Sequence, residues 1–242
     1  MEIFWRTIAY YNSATWLLQI IVILIGIVLT ALLISKPRPW VKMGMKIYMI
    51  GLYSWISIVY YFIYCEERSY NGVMAMFWGV MAIIWIWDTI TGYTTFERTH
   101  KYDLLSYVLL AMPFIYPMVS LARGLSFPEM TSPVMPCSVV VFTIGLLLLF
   151  AHKVNMFLVL FLCHWSLIGL SKTYFFKIPE DFLLASATIP GLYLFFREYF
   201  LNNLHADTKP KAKYINWLLI TVCIGLAILL TTTMFLELVP KN

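Results

Sequence analysis

Apolar residues fall in long runs along this chain, divided by short connections that hold most of the charge. About 20 apolar residues carry a helix across the hydrocarbon core of a bilayer, and Ala14–Ser35 supplies such a run by itself. Seven more segments follow: Ile47–Tyr64, Gly72–Ile90, Leu104–Leu121, Pro136–Ala151, Val154–Leu170, Phe182–Phe196 and Tyr214–Leu236. None shows the apolar/polar alternation of a transmembrane β-barrel. The pattern predicts an all-α polytopic membrane bundle of about eight transmembrane helices, forming one transmembrane domain over residues 1–242. The fifth to seventh segments are short, and only His152 and Lys153 divide the fifth from the sixth, so a re-entrant or broken element there is the alternative. Pro113 and Pro117 interrupt the fourth segment, and Pro190-Gly191 lies within the seventh. Such breaks need partners inside the protein for the freed backbone groups, and transporters use them to build sites.

Composition agrees with lipid as the solvent. The chain is 62% hydrophobic and 12% charged, with mean hydropathy +0.81, whereas a soluble domain is about half apolar and a quarter charged. Met1–Ser13 carries Glu2 and Arg6 among aromatics, unlike a cleavable signal peptide, and reads as a short interfacial helix or turn. Lys and Arg favour the cytoplasmic loops. Alternate connections hold 11 of these residues, among them Lys36, Arg38, Lys42 and Lys46 and the group Arg197–Lys213, against six on the other side. Both termini are therefore expected outside a bacterial cytoplasmic membrane. Basic loops account for the net charge of +5 without a nucleic-acid partner; the lipid bilayer is the partner expected.

Two stretches carry a resemblance. Pro133–Leu149 reads PVMPCSVVVFTIGLLLL and Trp165–Asp181 reads WSLIGLSKTYFFKIPED. Together with Tyr11-Asn12-x-Ala14-x-Trp16 and Tyr116-Pro117, the chain resembles an uncharacterised family of bacterial multi-pass membrane proteins. That family has a Tyr-Asn-x-x-x-Trp start, a Pro-Cys-Pro-Thr-Thr-like helix and a Trp-x-Leu-Ile-Gly-x-Ser stretch before Glu-Asp. The chain departs from it at Ser138, Val139 and Val140. The resemblance implies a topology and no activity. Under that topology Tyr11, Asn12, Tyr116, Cys137, Ser171, Glu180 and Asp181 collect at the outer face, as a candidate pocket that opens outward.

Cys137 opens a helix, where the dipole favours a thiolate, and is weighed as a nucleophile against plain packing. Glu180 and Asp181 begin the seventh segment, where capping competes with cation or proton binding. His164 and Asp88 are the polar residues placed within the membrane; His164 should face other helices, and Asp88 should pair with a basic residue. Neither the four cysteines nor the histidines show metal-ligand spacing, and no cofactor is indicated. A small-solute or ion permease with an outward-opening pocket is expected, with a membrane enzyme using Cys137 or a non-catalytic accessory subunit as alternatives.

Overall fold

In a computed structural model of the chain, residues 2–196 are described apart from Ser69, Thr99, Lys101, Ala151, His152, Phe176, Lys177 and Pro179. Their regular elements are helices, joined by short connections. The elements are α1 (Glu2–Ser35), α2 (Pro39–Trp55), which runs on as a π-helix (Ile56–Tyr64), α3 (Asn71–Thr91) and α4 (Asp103–Ala122). After these come α5 (Pro136–Phe150), α6 (Met156–Phe175) and a seventh rod divided into α7 (Asp181–Ser186) and α8 (Thr188–Phe196).

Counting each divided rod once, the described residues hold seven helices, against about eight expected for the chain. The eighth predicted segment, Tyr214–Leu236, lies outside the described residues, as does the basic group Arg197–Lys213. Four of the seven are long and apolar enough to cross a membrane: α1, α2 with its π-helix, α3 and α4. The N-terminal residues correct a second expectation. They form no separate interfacial element but extend α1 to 34 residues, about 51 Å at 1.5 Å per residue.

Local sequence sets the breaks. Pro37 and Pro39 bar α1 from continuing, and Pro39 then serves α2 as a first-turn proline. Gly92 ends α3 in the left-handed region, at φ 64°. Pro190 has no N–H to offer the Ser186 carbonyl, which is where α7 gives way to α8. Pro113 and Pro117 bend to the opposite outcome: α4 runs through both.

α5 is apolar all round and buried along nearly its whole length, as befits the central helix of a bundle. A β-carbon at Gly145 would lie 2.8 Å from Leu109 Cβ and 3.1 Å from the Leu110 backbone nitrogen, so this glycine lets α5 lie directly on α4. Tyr53 of α2 stacks on Trp78 of α3 with centroids 5.1 Å apart, and Trp78 meets Trp165 of α6 edge-on at 5.0 Å. The Tyr53 hydroxyl bonds Thr143 of α5 at 3.0 Å, tying α2 to the centre. α1 is different. It packs on α2 and the π-helix, while Leu17, Leu18, Ile21, Leu24, Ile25 and Val28 are exposed. A band of that kind is stable only against hydrocarbon.

The connections gather at two ends. At the N-terminal end, Arg6 pairs with Glu67, and Arg68, from the turn between the π-helix and α3, donates to Thr7 at 3.0 Å and to the Phe4 carbonyl at 3.1 Å. The connection 123–135 and the turn before α7 lie there too. At the opposite end, Thr95 N–H donates to the Lys153 carbonyl at 3.2 Å and Asn155 N–H to Thr94 Oγ1 at 3.1 Å. Short α5 and α6 therefore run between the same two ends as the longer helices.

Candidate functional site

Polar groups of the N-terminal end form two hydrogen-bonded clusters that meet at the neighbouring loop residues Thr131 and Ser132. Asn12 of α1 donates both amide hydrogens to loop carbonyls, of Pro128 at 2.8 Å and Met130 at 2.7 Å. Gln19, two turns along α1, donates to Asn12 Oδ1 at 3.2 Å and to Thr15 Oγ1 at 2.9 Å, and accepts from the Ser132 hydroxyl. One residue back in the loop, Thr131 bonds Ser120 of α4 at 2.9 Å. Ser120 in turn donates to Glu180 Oε1 at 3.0 Å. Arg123 completes this second cluster, with contacts of 2.8 and 2.7 Å to the two carboxylate oxygens of Glu180. Glu180 is fully buried and makes no capping bond to α7, so the capping role expected for it gives way to this ion pair.

Of the residues singled out from sequence, Asn12 and Glu180 belong to this network. Tyr116 is buried on α4. Asp181 is buried and Cys137 half-buried at the start of α5. Tyr11 points elsewhere: its hydroxyl accepts from Trp55 Nε1 at 2.9 Å and its ring meets Tyr60 edge-on. Ser171 lies on α6, and its side chain is outside the described residues. His164 rests against Phe77 of α3, centroids 5.9 Å apart.

Asp88 belongs to the opposite end. Its carboxylate is fully buried and accepts from Lys46 at 3.0 Å, Thr94 N–H at 3.1 Å and Thr94 Oγ1 at 2.6 Å. Nearby, Arg98 donates to Asp103 at 2.8 Å, a bond that raises the guanidinium pKa above its usual value.

Sequence reading passed over Gln19, Ser120, Arg123 and Ser132. Asn12, Thr15 and Gln19 are spaced by three and four, so one face of α1 is polar for two turns inside an apolar run. That was the available signal.

A groove opens beside the network, between α1 and α4. Two cavities of about 520 and 240 Å³ lie side by side, with Ile23 and Pro133 lining both. On α1 the lining is one helical stripe: Asn12, Trp16, Gln19, Ile23, Gly26 and Thr30. On α4 it is Leu110, Pro113, Phe114 and Pro117, again one face. Asn12, Gln19, Thr131 and Ser132 are polar residues of the upper lining and Thr30 and Tyr48 of the lower, but the surface that both cavities present is almost all apolar. The prolines matter here. Lacking N–H groups, Pro113 and Pro117 leave the carbonyls of Leu109 and Pro113 without a helical bond. Among the described residues, no Asp, Glu, Lys or Arg lines either cavity.

Residues 1–206 match one family model across all of these elements. The chain belongs to the family of unknown function DUF6064. No curated protein and no solved structure matches it. The match covers both the network and the groove, so membership confirms the resemblance to an uncharacterised family and leaves activity to be argued from the site.

Proposed function

We propose that this is an integral membrane protein that takes a lipid-like molecule into the groove between α1 and α4. One observation carries the reading. The groove is apolar over nearly all of its lining and lies between two helices whose exposed faces suit hydrocarbon. A molecule that is apolar along most of its length matches that lining.

This reading departs from the permease expected from sequence, because the opening faces sideways and the polar groups of the N-terminal end are engaged with one another. It keeps the expected orientation. The excess of Lys and Arg in alternate connections supports an N-terminal end outside a cytoplasmic membrane. Helices that face lipid on one side and a groove on the other suit a carrier or receptor for such a molecule.

The test is retention. Full-length protein purified in mild detergent should carry a single-chain amphiphile in near-stoichiometric amount, read by mass spectrometry of the extracted lipid. Gly26→Leu, which fills the lower cavity, should lose it. A wild-type protein that carries only the bulk lipid mixture overturns the reading.

A further inference from the structure

One turn of the bundle carries positive charge that no acid answers. Most cations of the described residues are engaged: Arg6 pairs with Glu67, Lys46 with Asp88, Arg98 with Asp103 and Arg123 with Glu180. Arg68 donates to Thr7 and to the Phe4 carbonyl. Lys36 and Arg38 lie in the connection from α1 to α2, and Lys42 in the first turn of α2. Among the described residues, none of the three has a carboxylate within ion-pair distance. Sequence offers none nearby either, since residues 3–65 contain no Asp or Glu. Lys36 and Arg38 are exposed and Lys42 half-buried, with Trp40 exposed among them.

The position adds to the charge. A helix N-terminus carries partial positive charge of its own, so cations are disfavoured there and an anion is favoured. α2 starts at Pro39 with no acid in its first turn, and Pro37 and Pro39 restrict the backbone that presents the three side chains. Basic residues clustered at a bilayer surface attract anionic lipid head groups, and an exposed Trp beside them suits head-group depth.

The same turn stands at one end of the groove. The lower cavity follows α1 past Ile23, Gly26 and Thr30 to Ile34, one residue short of the end of that helix. Ile34 precedes Lys36 by two residues, and Tyr48 and Leu52 of α2 line the cavity as well. The helices on either side of the basic turn thus both supply wall. From Ile23 to Ile34 the helix rises about 16 Å at 1.5 Å per residue, enough to lie along one extended chain. The cavity, nearly all apolar, suits hydrocarbon and would penalise a charge; the turn outside it suits a charge.

Resting on the groove reading, we propose that the occupant is a single-chain lipid with a phosphate head, the phosphate held by Lys36, Arg38 and Lys42 and the chain lying in the lower cavity past Ile34 and Gly26. The head therefore sits at the end of the bundle opposite the Asn12–Glu180 network. Selection between a long-chain phosphate and its parent alcohol comes from the turn, and selection for a chain comes from the cavity.

The experiment uses full-length protein in phosphatidylcholine nanodiscs and two photoactivatable probes of identical chain, one ending in a phosphate monoester and the other in a hydroxyl. The phosphate probe should label the peptides of α1 and α4 that line the lower cavity about tenfold more than the alcohol does. Lys36→Gln, Arg38→Gln and Lys42→Gln together should bring its labelling down to that of the alcohol. Should that triple change disturb insertion, the wild-type protein gives the same reading, because salt at about 1 M should close most of the gap. Gly26→Leu and Ala31→Phe fill the cavity from two lining positions, and each should remove labelling by both probes. Equal labelling by both probes, or a preference that neither the triple change nor salt reduces, overturns the head-group assignment; if the cavity variants still remove labelling, the groove reading stands. Displacement of the phosphate probe by inorganic phosphate at constant ionic strength also overturns the assignment, since the turn would then serve a free anion. Labelling by neither probe, or labelling that both cavity variants leave unchanged, overturns the groove reading and the head-group assignment together.

Discussion

Removing the carboxylate of Asp88 should unfold the protein far more readily than its single-atom chemistry suggests. Lys46 Nζ lies 3.0 Å from Asp88 Oδ2 and 3.2 Å from the Asp88 carbonyl, and the two side chains are 9% and 0% exposed. Asp88→Ala therefore strands a buried ammonium, and Thr94 loses the acceptor for both its N–H and its hydroxyl. Breaking a buried pair from one side costs about 3–5 kcal/mol. Asp88→Asn keeps an acceptor for Thr94 and removes only the charge, which places it lower, at about 1–3 kcal/mol. Lys46→Met strands the carboxylate instead, though Thr94 still donates to it twice. Lys46→Met with Asp88→Asn has no stranded charge, and should be more stable than the sum of the single losses by about 1–3 kcal/mol. The assay is a double-mutant cycle by reversible unfolding in mixed micelles, checked by thermal unfolding in nanodiscs. Additive losses, with no coupling, would refute the idea that a desolvated pair fastens α2 to α3 at this end.

Three further outcomes are expected. Gly145→Leu should destabilise by about 1–3 kcal/mol or prevent folding, because its β-carbon meets Leu109 and the Leu110 backbone inside 3.2 Å; thermal unfolding reads it, and a neutral result would mean that α4 and α5 are not in such close contact. Asn12→Ala should release the connection 123–135, since two carbonyls lose their donor at about 1–3 kcal/mol; hydrogen exchange and limited proteolysis of that loop would report it, and unchanged protection would count against the bonds. A reporter fused after Asn242 should be active only if it works outside the cytoplasm, and activity of a cytoplasmic reporter there would reverse the proposed orientation.

The helical segments were legible because hydrocarbon imposes one requirement, a long enough apolar run, and Ala14–Ser35 or Gly72–Ile90 meet it in any arrangement of the bundle. Where charge or aromatics interrupt that run, the same signal fails. Residues 2–13 were set apart from α1 because Glu2, Arg6 and the tyrosines look interfacial, yet Arg6, Thr7 and Asn12 each have partners from other connections that hold the helix on. Pro113 and Pro117 read as breaks, while α4 continues through them. A proline removes a donor but still permits helical dihedrals, and sequence alone does not say that both rings would share the face that turns to a groove. Asn12 and Glu180 were legible as polar groups in costly places. Their linkage through Thr131 and Ser132 was not, because it depends on how a 13-residue connection folds back across two helix ends.

Charge and hydrogen bonding divide the molecule's labour. The buried charges are engaged in joining elements: Lys46 with Asp88 fastens α2 to α3, and Arg123 with Glu180 fastens the end of α4 to the head of α7. Arg68, with Thr7 and the Phe4 carbonyl, fastens the turn before α3 to α1. Between α1 and α4 the direct charged contact is Arg123 over the Trp5 ring, 5.9 Å from its centroid, and the hydrogen-bonded link runs through the loop, by way of Asn12, Gln19, Ser132 and Thr131. The network therefore holds the two helices apart at a set distance as much as it joins them, and the groove is the space that results. If that is its role, Gln19→Leu should weaken retention of the bound molecule without the large loss of stability expected for Asp88→Ala, because it removes loop contacts while stranding no charge. Retention measured beside thermal unfolding separates the two effects. Parallel loss of both, as large as that of Asp88→Ala, would mean that the network only stabilises the bundle and has no part in shaping a site.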